Sequence, residues 1–172
     1  MPRIHVCSLA RLDRMIAQTG ADHVLSLMSD HVARPERIAP ERHLYISVSD
    51  IVAPQEGTIL PADTHIRQAI DFARSWDRAR SMIVHCYAGV SRSTASAFIA
   101  ACALRPDFDE WELARTIRAR SPTATPNARF VALADAMLGR DGRMIAAIES
   151  IGRGVDCHEG EPFHLDLSAE GP

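Results

Sequence analysis

The chain has 172 residues, of which 47% are hydrophobic, and its formal net charge at pH 7 is −3. This length suits one domain with its own core, and the charge gives no electrostatic argument for binding nucleic acid or an anionic membrane. No apolar run is long enough to span a bilayer, and the first residues show no basic-then-apolar signal, so we expect a cytoplasmic protein.

The first forty residues alternate strand and helix patterns. A short β-prone run over residues 4–7 predicts a strand. Ser8 then precedes apolar residues at helical spacing, so we expect it to cap a helix that Gly20 ends. Residues 23–28 predict a second strand. Residues 29–40 are polar and contain prolines, which indicates a loop.

The next forty residues lead into the most informative part of the chain. The alternating pattern over residues 43–48 predicts a third strand, which runs into Asp50. Residues 50–61 contain two prolines and a glycine and predict a loop of a length that often carries function. Helical spacing over residues 66–76 predicts a helix, and the apolar run 81–84 predicts a buried central strand.

Helical patterns dominate the second half. An alanine-rich segment over residues 92–104 predicts one helix, and Asp109 is expected to cap a second over 111–117. Thr125, which is followed by a proline, suits the N-cap of a third helix, whose apolar stripe ends at Gly139.

One more helix is predicted over residues 144–151, and the chain from Gly152 onwards is polar and glycine-rich. We therefore expect an α/β domain over residues 1–151 and a loose polar C-terminal tail over 152–172. Strands that alternate with helices imply a single domain with a mainly parallel central sheet of about four to five strands and helices on both faces. Ligands of such sheets bind beyond the carboxyl ends of the strands.

The segment after the central strand, residues 85–94, reads His-Cys-Tyr-Ala-Gly-Val-Ser-Arg-Ser-Thr. Backbone N–H groups of this loop and of the next helix's first turn should converge beside Cys86. Such a cradle attracts anions and favours a thiolate over a thiol. Arg92 adds a planar fork that can hold two oxygens of a tetrahedral oxyanion. The spacing of Cys86 and Arg92 alone is a weak signal, but its strand-loop-helix frame predicts attack on a phosphate.

This segment resembles the signature loop of the cysteine-dependent protein tyrosine and dual-specificity phosphatases, most of all their compact dual-specificity-like members, including bacterial ones. Residues 120–130 are similar to the segment that opens a later helix in that family, and the strand ending at Asp50 lies where the family carries its acid loop. The resemblance covers about residues 43–138. It implies a metal-independent, cofactor-free phosphatase that acts through a phosphocysteine on phosphorylated proteins or small phosphate monoesters.

The resemblance also assigns roles. Cys86 is the expected nucleophile, and Asp50 is the expected general acid. Asp50 lies 36 residues before Cys86, somewhat more than the family pattern suggests, so Glu56 and Asp63 are reserve candidates for the acid. The substrate phosphate should contact the Arg92 side chain and the backbone of the loop residues Tyr87, Ala88, Gly89, Val90, Ser91 and Arg92. Gly89 is expected to adopt positive φ and to let the loop approach the phosphate closely.

Three further residues each have two readings. Ser93 could donate a hydrogen bond that makes the thiolate a better leaving group, or cap the helix start, or both. His85 could orient the loop and tune the thiol, or be a satisfied core histidine. Asn127 could tie its segment to the phosphate loop, but an asparagine at a helix start is common and the capping role is preferred.

The remaining cysteines show no paired spacing of a disulfide framework, which favours a reducing compartment. Cys7 or Cys102 could trap an oxidised Cys86 as a disulfide, although a strand or helix cysteine is more often a core residue. In the tail, Cys157 and its neighbouring histidines match no zinc pattern, so no metal is expected.

Two other classes of protein fit part of the pattern. A rhodanese-like sulfurtransferase would share the thiol loop but needs neither Ser93 nor Asp50. A catalytically weak phosphate-binding module would not need the intact Cys86 and Arg92. The uncharged residues between Cys86 and Arg92 disfavour a phosphoinositide substrate, and the sequence leaves the substrate's identity open.

Overall fold

The structure is a computed structural model that describes residues 2–168. Its strands, in chain order, are β1 Arg3–Ser8, β2 His23–Met28, β3 His43–Ser47, β4 Met82–Cys86 and β5 Phe163–Asp166. Its α-helices are α1 Leu12–Thr19, α2 Asp63–Ser75, α3 Arg92–Leu104, α4 Glu110–Arg120, α5 Ala128–Leu138 and α6 Arg143–Ile151. Single 3₁₀ turns, Leu9–Arg11 and Pro40–Arg42, precede α1 and β3.

The five strands form one sheet in the order β3-β2-β4-β1-β5. The first four are parallel to their neighbours, and β5 lies antiparallel to β1 at the edge. The inner strands β1, β2 and β4 are almost continuously buried, as strands covered on both faces must be, whereas β3 at the edge is mostly half-buried. The predicted single α/β domain with a mainly parallel sheet is confirmed.

Helices cover the two faces of the sheet unequally. The larger hydrophobic core joins one face of the strands to helices α2 to α6, and the long buried run of α3 at its centre is rich in alanine and serine. Small side chains let α3 lie close to the sheet while other helices pack around it. A smaller cluster, which includes Cys7, Leu12 and Ile38, seals the opposite face beneath α1. No helix within residues 2–168 combines the length and the apolar character needed to cross a membrane.

Two predicted helix caps differ from the structure. The N-cap of α5 is Asn127, not Thr125, because the Asn127 side chain accepts the N–H groups of Arg129 and Phe130. The Thr125 backbone N–H is bound elsewhere, to the Val90 carbonyl oxygen. Ser8 makes no side-chain capping bond, and its hydroxyl instead donates to Glu159 at 2.5 Å. The predicted caps Asp109 and Gly20 are confirmed.

The expectation of a loose tail after Gly152 is wrong for residues 163–166, which form β5. Phe163 and Leu165 of this strand are buried, and the strand pairs with Arg3–Val6 of β1. The run is only four residues long and lies in a polar context, which is why its alternation carries little weight in the sequence. This strand brings the preceding residues, 152–162, back across the domain.

Candidate active site

The signature loop, residues 87–91, joins the carboxyl end of β4 to the start of α3. Gly89 has a φ of +72°, which only glycine adopts without strain. A Cβ at this position would lie 2.8 Å from both the Cys7 carbonyl carbon and the Ser8 nitrogen. The predicted positive φ is confirmed. The close approach that requires glycine is to the backbone of β1, whereas the sequence predicted an approach to phosphate.

The carbonyl oxygens of the signature loop are held by other parts of the chain. Four of the five accept a backbone N–H: Tyr87 from Leu9 at 3.2 Å, Ala88 from Gly160 at 2.9 Å, Val90 from Thr125 at 2.9 Å and Ser91 from Asn127 at 3.3 Å. The C=O and N–H of a trans peptide point in opposite directions, so carbonyls tied outwards turn the N–H groups inwards. Within residues 2–168, the N–H groups of residues 87–91 donate to no protein group. They form the free donor set that an oxyanion needs.

The Cys86 thiol lies at the base of this loop and is 2% exposed. Its Sγ atom is 3.1 Å from the hydroxyl oxygen of Ser93, which is fully buried in the first turn of α3. When Cys86 is a thiolate, the hydroxyl must be the donor. The contact is the one expected of a serine that stabilises a thiolate.

Arg92 is the first residue of α3, and it is 6% exposed. Its Nη1 atom donates to the Ser29 hydroxyl at 3.1 Å and to the Val48 carbonyl oxygen at 3.0 Å. Its Nε atom is buried and has no partner within the described part of the chain. A buried donor without a partner costs about 1–3 kcal/mol. The Nη1 atom of the guanidinium is therefore held by the protein, and the Nε–H group is free to donate a hydrogen bond to an oxyanion.

Asp50 begins the loop that follows β3 and meets the signature loop from the side. Its Oδ1 atom accepts hydrogen bonds from the Ser91 hydroxyl at 2.6 Å and from Asn127 Nδ2 at 2.8 Å. Glu56 and Asp63, the reserve candidates, make no hydrogen bond to the signature loop in residues 2–168. Of the three carboxylates, the structure brings Asp50 to the loop.

Asn127 performs both of the roles that its position suggested. Its side-chain oxygen caps α5, and its side-chain nitrogen donates to Asp50. Its backbone N–H also donates to the Ser91 carbonyl oxygen. The preference for a purely capping role was therefore incomplete.

His85 is fully buried on the face of β4 opposite to Cys86, because successive strand residues alternate between faces. Its Nε2 atom lies 2.6 Å from the Ser26 hydroxyl, which also contacts His43 at 2.9 Å. Burial lowers the pKa of His85 to about 4. His85 is thus a neutral core histidine near pH 7 and supplies no positive charge to the thiol.

Cys7 and Cys102, the two residues that could trap an oxidised Cys86, are both core residues in the structure. Cys7 belongs to the core cluster on the opposite face of the sheet, and Cys102 lies near the far end of α3. Burial raises the pKa of both thiols to about 12, so both are protonated near neutral pH. Cys157 is exposed, and no cluster of three or more potential metal ligands occurs in residues 2–168.

Comparison with known proteins finds similarity to phosphatases. No protein-family model matches the chain. Dual specificity protein phosphatase 15 of Rattus norvegicus is 30% identical over 114 residues, 66% of this chain and 45% of the rat protein. The mouse protein of the same name is 30% identical over 115 residues, 66% of this chain and 46% of the mouse protein. The chain therefore spans less than half the length of the curated relatives that it matches.

Solved structures match a larger share of the chain. The crystal structure of DUSP15 superimposes with a TM-score of 0.64 at 18% identity and covers 86% of this chain and 89% of that one. The chain has the fold of a dual-specificity phosphatase. The crystal structure of the Cydia pomonella PTP-2 phosphatase superimposes with a TM-score of 0.61 at 19% identity. The match covers 77% of this chain and 84% of that one. Both of these likenesses are of fold.

Two contributors to this phosphatase-fold site escaped the sequence analysis. Ser29, which anchors Arg92, directly follows the carboxyl end of β2, so the rule that located Asp50 could have found it. Gly160, which holds the Ala88 carbonyl, lies in the polar tail, and no local pattern in the sequence marks it.

Proposed function

We propose that the chain is a phosphatase that hydrolyses phosphate monoesters through a phosphocysteine intermediate, without a metal or other cofactor. The observation that carries the proposal is the set of unpartnered donors around Cys86. It comprises the N–H groups of residues 87–91 and the buried Nε atom of Arg92. Donors fixed in advance around a nucleophile suit the equatorial oxygens of a phosphoryl group in transfer.

In the first step, Sγ of Cys86 attacks phosphorus as the bond from phosphorus to the leaving oxygen breaks. Asp50 gives a proton to that oxygen, and its Oδ2 atom is the natural carrier because Oδ1 already accepts two hydrogen bonds. In the second step, water attacks phosphorus and Asp50 takes a proton from it. The bond between sulfur and phosphorus then breaks, and Ser93 stabilises the thiolate that leaves. The products are an alcohol or phenol and inorganic phosphate.

Phosphorylated proteins, bearing phosphotyrosine or both phosphotyrosine and phosphoserine or phosphothreonine, are the proposed substrates. The similarity to a dual specificity protein phosphatase and to a PTP-2 phosphatase supports this class. The signature loop carries no charged residue between Cys86 and Arg92, which disfavours phosphoinositides. The cytoplasmic location and the place in the bacterial group stay predictions, as does the absence of nucleic-acid and membrane binding.

A phosphatase panel tests the proposal. The wild type should hydrolyse p-nitrophenyl phosphate and phosphopeptides in the presence of EDTA. Cys86→Ser should abolish turnover while the fold and the binding of inorganic phosphate persist. A Cys86→Ser variant with wild-type turnover would overturn the proposed mechanism.

The two rival functions have their own assays. Transfer of sulfur from thiosulfate to cyanide without phosphatase activity would identify a sulfurtransferase. Phosphopeptide binding without turnover would identify a binding module. The contacts of Ser93 with Cys86 and of Asp50 with Ser91 favour the phosphatase, because neither rival requires a thiolate-stabilising serine together with an acid.

A further inference from the structure

The segment between α6 and β5, residues 152–162, forms a strap across the back of the signature loop. At its start, the Gly154 N–H donates to the Thr125 hydroxyl at 3.0 Å, and the Val155 N–H donates to the Pro122 carbonyl oxygen at 3.0 Å. At its end, β5 pairs with β1. The strap is thus fixed on both sides of the loop that it crosses.

Gly160 is the buried residue of this otherwise largely exposed strap. Its N–H donates to the Ala88 carbonyl oxygen at 2.9 Å. A Cβ on Gly160 would lie 2.9 Å from the Gly89 carbonyl oxygen and 3.3 Å from a methyl carbon of Val90. Since Gly160 does not have a positive φ, this contact with the loop, and not its backbone conformation, is what requires glycine.

The neighbouring Glu159 ties the strap to β1. Its carboxylate accepts a hydrogen bond from the Ser8 hydroxyl at 2.5 Å and from Arg11 Nε at 3.1 Å. The Ser8 bond is the main cause of the lowered pKa of Glu159, which keeps this carboxylate charged at neutral pH. Ser8 in turn lies in register with Cys86 across the parallel pair of strands. The strap therefore joins the sheet at the position of the nucleophile.

The peptide geometry gives this contact a consequence for the site. The Ala88 carbonyl and the Gly89 N–H belong to one planar trans peptide and point in opposite directions. When Gly160 holds the carbonyl from behind, the Gly89 N–H must face the other way. The Leu9 N–H binds the Tyr87 carbonyl oxygen in the same way, and so the Ala88 N–H of that peptide also faces away from Leu9.

We propose that Gly160 is a positioning residue, through which the strap turns the Gly89 N–H towards the bound oxyanion. The proposal rests on the proposed function in that the oxyanion is the phosphoryl group of the substrate. It assigns to residues 152–162 a role in the affinity of the site for oxyanions, in addition to any role in folding. A strap that served stability alone would leave that affinity unchanged in a folded variant.

The test compares two glycine-to-alanine variants. Gly160→Ala places its methyl group against the signature loop. Gly139→Ala is the control, because Gly139 has a φ of +63° at the C-terminal end of α5, so the alanine strains the backbone outside both the strap and the signature loop. Orthovanadate affinity by calorimetry, turnover of p-nitrophenyl phosphate and the urea midpoint are measured for both variants and the wild type.

We expect Gly160→Ala to bind vanadate at least ~10-fold more weakly and to lose kcat, while Gly139→Ala loses stability alone. Equal vanadate affinity for Gly160→Ala and the wild type, or an equal loss in both variants, overturns the proposal. If Gly160→Ala does not fold, Ser8→Ala decides, because it removes the tie to Glu159 without adding an atom. Weaker vanadate binding by Ser8→Ala then supports the role of the strap, and unchanged binding refutes it.

The vanadate measurement also separates this proposal from the proposed function. If the wild type binds vanadate and hydrolyses no phosphate ester, the phosphatase proposal fails, while the effect of Gly160 on the cradle is still measured. If the wild type does not bind vanadate, the oriented cradle does not exist and the role of Gly160 is refuted.

Discussion

Asn127 and Ser91 both donate a hydrogen bond to the same carboxylate oxygen of Asp50, Oδ1. The two donors lie 2.8 and 2.6 Å from Asp50 Oδ1, and Oδ2 has no hydrogen-bond partner among residues 2–168. One carboxylate oxygen is thereby fixed and the other is left to carry a proton. The pair links the loop after β3, the signature loop and the start of α5 at a single point.

The first prediction concerns Asp50 as the general acid. Asp50→Asn should slow alkyl and phenyl phosphates strongly and activated aryl phosphates much less, because an activated oxygen leaves without a proton. The basic limb of the pH–rate profile should flatten while the acidic limb persists. Glu56→Gln and Asp63→Asn are the controls. A neutral Asp50→Asn beside an impaired Glu56→Gln or Asp63→Asn would move the assignment to another carboxylate.

The second prediction separates the two roles of Asn127. Asn127→Ala removes both the cap of α5 and the donor to Asp50, so it should cost about 1 kcal/mol of stability and slow poor leaving groups. Asp109→Ala is the matched control, because it removes the cap of α4, where Asp109 accepts the Glu112 N–H at 2.9 Å. Urea unfolding should show similar losses for both variants, and kinetics should show a loss for Asn127→Ala alone. Equal kinetics for the two variants would reduce Asn127 to a cap.

The third prediction concerns the geometry of Arg92. Arg92→Lys keeps the charge and loses the fork, so we expect at least ~100-fold lower kcat/KM, or about 2.7 kcal/mol of transition-state stabilisation. Ser29→Ala removes one of the two anchors of Nη1 and should produce a smaller loss with little change in stability. Near-normal kinetics for Arg92→Lys would make Arg92 a structural residue.

The sequence predicted those parts of the site that local patterns encode. Cys86 and Arg92 stand at a fixed spacing inside a strand-loop-helix frame, and Asp50 ends a recognisable strand. Residues that act across the fold left no such pattern. Gly160 contacts Ala88 only because β5 pairs with β1 at the edge of the sheet. Thr125 and Asn127 are both residue types that cap helices, so the sequence alone does not decide between them. Tertiary contacts determine that Asn127 caps α5. Its side chain is positioned by the hydrogen bond to Asp50, whereas the Thr125 backbone N–H is bound to the Val90 carbonyl oxygen.

The fourth prediction concerns Ser93 and the second chemical step. Its hydroxyl lies 3.1 Å from the Cys86 sulfur and should stabilise the thiolate as the phosphocysteine breaks down. Ser93→Ala should therefore slow breakdown more than formation and produce a burst of p-nitrophenol in rapid-mixing kinetics. Equal slowing of both steps, without a burst, would assign Ser93 to packing alone.

The last prediction is a loss of stability in acid that originates in His85. Burial lowers its pKa to about 4 in the folded chain, whereas an unfolded histidine titrates near 6.5. Between these values the unfolded chain takes up a proton that the folded chain does not, so the free energy of unfolding falls as the pH is lowered. The contribution is complete above about pH 6.5 and decreases by up to about 1.4 kcal/mol per pH unit below it. His5, whose pKa burial also lowers to about 4, acts in the same direction.

Urea unfolding at several pH values from 7.5 to 4.5 should show this slope in the wild type and a shallower slope in His85→Gln, whatever that variant loses at pH 7.5. The exposed His158→Gln is the control and should keep the wild-type slope. An unchanged slope in His85→Gln would mean that His85 takes up its proton in the folded chain as readily as in the unfolded one.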